Sequence, residues 1–145
     1  MLKVLLVGDI VGRPGREAAK RIVPKFCKDR KIDFVVANAE NVAGGSGLTP
    51  STVDELLDSH IDVLTSGDHI WKKKEIYEIL EKNPRVLRPA NYPESCPGRG
   101  AGVLKSNLGK MVGVINLVGR VFMKNIDCPF RAGERKLEKI SKDAK

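Results

Sequence analysis

The chain is poor in several things, and each shortage removes a class of function. Its longest apolar stretches, such as Val4 to Val7 and Val112 to Val118, are strand-sized, far below the roughly 20 apolar residues that a membrane-spanning helix needs. Three cysteines, Cys27, Cys96 and Cys128, are odd in number and widely spaced. That fits neither a disulfide framework nor a CxxC metal site, so they read as reduced thiols without a chemical role. Aromatics are scarce, with one Trp, two Tyr and four Phe. Basic runs without interleaved aromatics make RNA binding the less favoured account of the surplus positive charge. The opening Met1-Leu2-Lys3-Val4 enters a strand pattern with none of the charged, apolar and small-residue zones of a signal peptide, so a cytoplasmic location is the default expectation.

What is present is basic charge and a regular alternation. Twenty-six Lys and Arg against 18 Asp and Glu give a formal charge of +8, concentrated in Lys72-Lys73-Lys74 and from Arg131 to Lys145. Such runs are solvated faces that also help attract an anionic phosphate substrate. At 145 residues and 41% hydrophobic content the chain suffices for one domain with a core. Apolar runs alternate with helix-period stretches, the pattern of a βαβ-built sheet. Strands are expected at Leu2 to Val7, Phe34 to Ala37, Ile61 to Thr65 and Arg85 to Leu87. Helices are expected at about Gly15 to Arg30, weakened at Pro24, then after Thr49-Pro50, from Lys72 to Lys82, and from Gly133 to Lys145. Between the last two, Ala101 to Lys105 and Met111 to Leu117 flank the turn Ser106-Asn107-Leu108-Gly109, so βα order gives way to a hairpin. The final helix, with Leu137 and Ile140 as its thin apolar face, should pack on a sheet and lead into a further strand that does not follow.

Three polar clusters each come directly after an expected parallel strand: Gly8-Asp9-Ile10-Val11-Gly12, Asn38-Ala39-Glu40-Asn41 and Gly67-Asp68-His69. Open α/β sheets gather functional groups at that edge. Hard oxygen donors with a histidine suit divalent Mn, Fe, Zn or Mg, and a carboxylate such as Glu40 can bridge two ions. Singly, each residue has a plainer role: Asp9 as a helix cap, Asn41 and Asp68 as turn residues, His69 as a structural histidine. Three successive strand ends carrying such side chains outweigh the members taken alone. Gly8, Gly12 and Gly15 do not have GxGxxG spacing and no GK[ST] follows, so a dinucleotide site is not indicated. His60, near the end of a helix, reads as structural.

These clusters, together with Trp71, Arg88-Pro89-Ala90-Asn91-Tyr92-Pro93, Gly119-Arg120-Val121-Phe122-Met123 and Asp127-Cys128-Pro129-Phe130, resemble the YmdB-like branch of the calcineurin-like metallophosphoesterases over essentially the whole chain. The resemblance implies a four-layer αββα sandwich, here its N-terminal part, with a binuclear metal centre that hydrolyses 2′,3′-cyclic nucleotides by opening the ring at the 2′ position. By motif, Asp9 and Asn41 would bind the first ion, Asp68 the second and Glu40 both, while His69 would be the proton donor. Many relatives have Asn in place of Asp68, in a GNH motif. The ions would be Fe or Mn, with Zn or Mg as alternatives, and the substrate a small nucleotide or phosphodiester.

Further histidine ligands in the family lie in motifs this chain does not contain. Residues 1–145 are therefore expected to be an incomplete domain that binds metal weakly, self-associates or is only marginally stable, and has little or no activity. A non-catalytic assembly module is the alternative. Arg88, Asn91, Arg99 and Arg120 are expected either to hold a phosphate or nucleotide rim or to fix loops by hydrogen bonding, and Trp71 to pack.

Overall fold

The computed structural model describes residues 1–123 and 125–143. Four parallel strands lie side by side in chain order: β1 (Val4–Val7), β2 (Phe34–Asn38), β3 (Val63–Thr65) and β4 (Val86–Leu87). Their connections are α1 (Gly12–Arg30), α2 (Pro50–Leu57), and a 3-10 helix (Asp68–Lys72) followed by α3 (Ile76–Lys82). An antiparallel hairpin, β5 (Ala101–Lys105) and β6 (Met111–Ile115), and the helix α4 (Pro129–Ile140) complete the chain.

The period of two along the strands decides which layer each side chain joins. Val35, Ala37, Leu64 and Val86 point into the larger core with Val53, Leu56, Ile76 and Leu80 of α2 and α3. Their neighbours Phe34, Val63 and Leu87 point the other way and meet Leu104, Val112 and Val114 of the hairpin. Helix α4 packs against β5 and β6 in turn. The layers thus run helices, parallel sheet, hairpin, helix, which is the expected αββα order. Leu64 is fully buried, and truncating such a leucine to alanine costs about 2–5 kcal/mol.

Local signals account for most boundaries. Thr49 caps α2 by accepting from the Thr52 amide while the Thr52 hydroxyl accepts from the Thr49 amide, and Pro50 occupies the first turn. Gly109 closes the hairpin turn by donating to Ser106 O at 2.8 Å with φ +76°. Helix α1 runs unbroken through Pro24, because Ala19 and Val23 bury its inner face.

Three expectations change. Lys72-Lys73-Lys74 do not belong to a helix starting at Lys72: Asp68–Lys72 tighten into the 3-10 helix and α3 begins at Ile76. Complete burial of Ile70 and the clasp of Trp71 between Tyr77 and Tyr92, with ring centroids at 6.0 and 5.3 Å, set that backbone. Helix α4 starts four residues early, at Pro129. Its docked face is the small pair Ala132 and Gly133 near Leu117, while Leu137 is left 58% exposed.

Strand β1 forms one side of the parallel sheet and, among the described residues, pairs with β2 alone. Leu6 lies on the hairpin side in register with Val36, yet it is 74% exposed. The hairpin reaches β2, β3 and β4 but leaves that end bare.

Candidate metal centre

In a parallel sheet every strand ends on the same rim, so Asp9, Glu40, Asn41, Asp68 and His69 all follow strand ends on one side of the molecule. Backbone hydrogen bonds lock these turns together. The Ile10 amide donates to Asn38 O at 3.0 Å, the Gly12 amide to Asn41 O at 2.9 Å and the Ala39 amide to Thr65 O at 2.9 Å. Gly12 manages this at φ +57°, a conformation that favours glycine.

Side chains then form a chain across the rim. Asn41 Nδ2 donates to Asp9 Oδ2 at 2.7 Å, and Asn41 Oδ1 lies 2.5 Å from His69 Nδ1. With Asn41 oriented to donate to Asp9, its carbonyl oxygen requires the proton on His69 Nδ1, which leaves Nε2 as the nitrogen for a ligand. Glu40 lies alongside. Its Oε2 accepts from the His69 amide at 3.5 Å and its Oε1 from Asn38 Nδ2 at 3.3 Å, while Asn38 Oδ1 accepts from the Glu40 amide at 3.0 Å. Asp68 is exposed at the start of the 3-10 helix. Burial pushes the Tyr92 phenol above its ordinary value, and the Asp68 and Glu40 carboxylates add to the rise. Both charges therefore act on the same ring.

The donor set fits a divalent cation in kind. Among the described residues, the ion pairs of this basic chain involve none of Asp9, Glu40 and Asp68. Among the described residues, no three His, Cys, Asp or Glu side chains close on a single point. Asn41 stands between Asp9 and His69 instead, so the oxygens are gathered without forming a finished cage.

The rim residues expected to meet substrate divide into two kinds. Arg88 is buried, and its guanidinium donates to the carbonyls of Pro89 at 2.9 Å, Pro97 at 3.2 Å, and Pro93 and Cys96 at 3.4 Å. Burial pulls its pKa below the usual guanidinium value. Asn91 is fully buried and is likewise bonded to the chain's own backbone. Both side chains thus hydrogen-bond to the loop backbone around them. Arg99 reaches the Glu81 carbonyl at 3.4 Å. Arg120 is exposed beside a cavity of about 920 Å³ bordered by Pro93, Asp127, Cys128 and Phe130. His60, at φ +66°, serves as the left-handed residue after α2.

Two asparagines do more than their motifs announced. Asn38 orients Glu40, as described. Asn116 is buried, and its Nδ2 donates to Ser66 O at 2.7 Å and Leu87 O at 3.0 Å, tying the hairpin to the rim beside Gly67. No sequence motif marks Asn116; an amide at the end of an otherwise aliphatic strand was the only available signal.

A parallel sheet backed by an antiparallel hairpin between helical layers, with carboxylates, an asparagine and a histidine on successive strand ends, defines the α/β metallophosphoesterase scaffold. Within that class the chain belongs to the YmdB-like protein family, whose profile matches residues 5–145. It is 41% identical over 141 residues to the 2′,3′-cyclic-nucleotide 2′-phosphodiesterase of Bacillus subtilis, covering 97% of this chain and 53% of that protein. Its fold superposes on the crystal structure of a hypothetical protein from Thermus thermophilus with a TM-score of 0.85 at 39% identity, covering 93% of this chain and 52% of that one. A Mycoplasma pneumoniae structure described as a novel phosphatase gives 0.84 at 26% identity, covering 95% and 51%. The chain spans about half the length of these relatives.

Proposed function

We propose that this chain is the N-terminal part of a metal-dependent phosphodiesterase that hydrolyses 2′,3′-cyclic nucleotides or related phosphodiesters, and that residues 1–145 are one incomplete domain. The observation that carries this is the Asp9–Asn41–His69 hydrogen-bonded chain beside Glu40 on one rim of the sheet. Asp9 and Asn41 would hold a first divalent ion, Asp68 a second, and Glu40 would reach both. Such ions, Fe or Mn with Zn or Mg as alternatives, supply an activated water and neutralise charge on the phosphate oxygens. His69, as the doubly protonated imidazolium with Nδ1–H held by Asn41, would give the Nε2 proton to the 2′ oxygen as its bond to phosphorus breaks, leaving the neutral ring. Arg120 supplies positive charge to the phosphate from its loop.

The direct test is titration of the 145-residue chain with Mn²⁺ in the presence and absence of 3′-AMP, the product class that ring opening at the 2′ position yields. Weak Mn²⁺ binding that is lost in Glu40→Gln supports the proposal. Binding that survives both Glu40→Gln and Asp9→Ala overturns it.

A second reading, a module that assembles with another polypeptide, is favoured by one observation. Exposed Leu6 adjoins a groove of about 450 Å³ lined by Ile10, Ala19, Ile22 and Phe26. Its signature would be tight association without any metal requirement.

A further inference from the structure

Asn91 is fully buried, and its side-chain amide is bonded to the chain's own backbone. Its side chain donates to Val118 O at 2.8 Å and to Asp127 O at 3.1 Å, and its Oδ1 accepts from the Val118 amide at 3.1 Å. Its own carbonyl accepts from the Asp127 amide at 3.0 Å. One buried residue therefore grips both ends of the segment between Val118 and Asp127, the segment that carries Arg120. Asn91 itself follows β4 on the metal rim. Its neighbour Tyr92 lies edge-on to Trp71, two residues beyond His69 in the 3-10 helix. Within the gripped segment Phe122 has φ +61° and its ring is fully exposed. A non-glycine residue held in that region persists where the surrounding structure dictates it. The exposed ring offers no packing to do so; the turn bond from the Met123 amide to Arg120 O at 3.1 Å fixes it within the fastened loop.

We infer that Asn91 is a positioning residue that closes this loop onto the metal rim and thereby places Arg120 against the phosphate of a bound nucleotide. The inference rests on the proposed phosphodiesterase function. Every hydrogen-bonding group of the Asn91 amide is used within the loop, so its effect on a nucleotide passes through Arg120.

The test uses the 145-residue protein with Asn91→Ser, Arg120→Ala and the double variant. Amide exchange is expected to accelerate at Val118 and Asp127 in Asn91→Ser, while amides of the parallel sheet such as Ala37 and Leu64 stay protected. Affinity for 3′-AMP in the presence of Mn²⁺ should fall about tenfold on Arg120→Ala in the wild-type background, and less than about twofold when Asn91 is already Ser. Equal losses in both backgrounds overturn the role of Asn91 and leave the phosphodiesterase reading intact. Sheet amides that lose protection together with Val118 and Asp127 also overturn it, by making Asn91 a general stability residue. Absence of any 3′-AMP binding by the wild-type protein overturns both.

Discussion

Gly67 has no side chain in the one place where the Glu40 carboxylate lies: a Cβ built there would stand 2.7 Å from Glu40 Oε1 and 2.8 Å from Cδ. The glycine between β3 and Asp68 is thus what lets the proposed bridging carboxylate cross from the end of β2. Gly67→Ala should displace Glu40 and abolish Mn²⁺ binding, at small cost in stability because the atoms that must move are the far end of a flexible side chain. Gly8→Ala, where an added Cβ meets nothing within 4 Å, should do neither. Isothermal titration with Mn²⁺ and thermal melts of the two variants check this, and equal behaviour of the pair would refute it.

Asn38 holds both the Glu40 amide and its carboxylate. Supporting residues of this kind typically contribute about 10–100-fold to metal affinity. Asn38→Ala should therefore weaken Mn²⁺ binding by that factor with little change in far-ultraviolet circular dichroism. Unchanged affinity would remove Asn38 from the site.

In a full-length homologue that has a histidine at this position, replacing the counterpart of His69 by alanine should lower turnover of 2′,3′-cyclic nucleotides by about 10²–10⁴-fold with metal content largely retained. Parallel loss of metal and activity, measured by elemental analysis beside the rate, would make this histidine a ligand instead.

Glu55 joins α1 to α2 by accepting from Arg16 at 2.7 Å and Lys20 at 3.2 Å. Burial works against its ionised form, but the two hydrogen bonds outweigh that and hold its pKa below the ordinary 4.5. Because the folded value is the lower one, the stabilisation is full above about pH 4.5 and disappears as the pH falls through the folded value. Melting temperature should drop across that acid range, and Glu55→Gln should flatten the drop while lowering stability at neutral pH. An identical acid profile in Glu55→Gln would contradict the assignment.

The bare edge of β1 should make the isolated 145-residue protein self-associate or be marginally stable, with little hydrolysis of cyclic nucleotides. Flat, apolar strand edges pair with one another, and a lysine on the edge opposes this. Leu6→Lys, at a residue already 74% exposed, should shift sedimentation toward monomer without loss of helix or sheet signal. A monodisperse wild-type monomer that turns over cyclic nucleotides with added Mn or Fe would overturn both expectations.

The sequence alone determined the alternation of strands and helices, the Thr49-Pro50 helix start, the hairpin turn at Ser106 to Gly109, and the placement of Asp9, Glu40, Asn41, Asp68 and His69 just beyond strand ends. These follow from local chemistry: strand period, capping geometry, and the rule that parallel strands end on one side. Tertiary structure alone decided what the motif residues do. The sequence left Arg88 and Asn91 open between a substrate rim and loop fixing, and burial then surrounded both with backbone carbonyls, since a buried donor must find an acceptor wherever the fold supplies one. Asn116 looked like an ordinary strand residue and proved to tie the hairpin to the rim. The 3-10 turn at Asp68 arose because Ile70 and Trp71 had cores to enter, a constraint that acts between residues far apart in the chain and therefore leaves no local pattern to read.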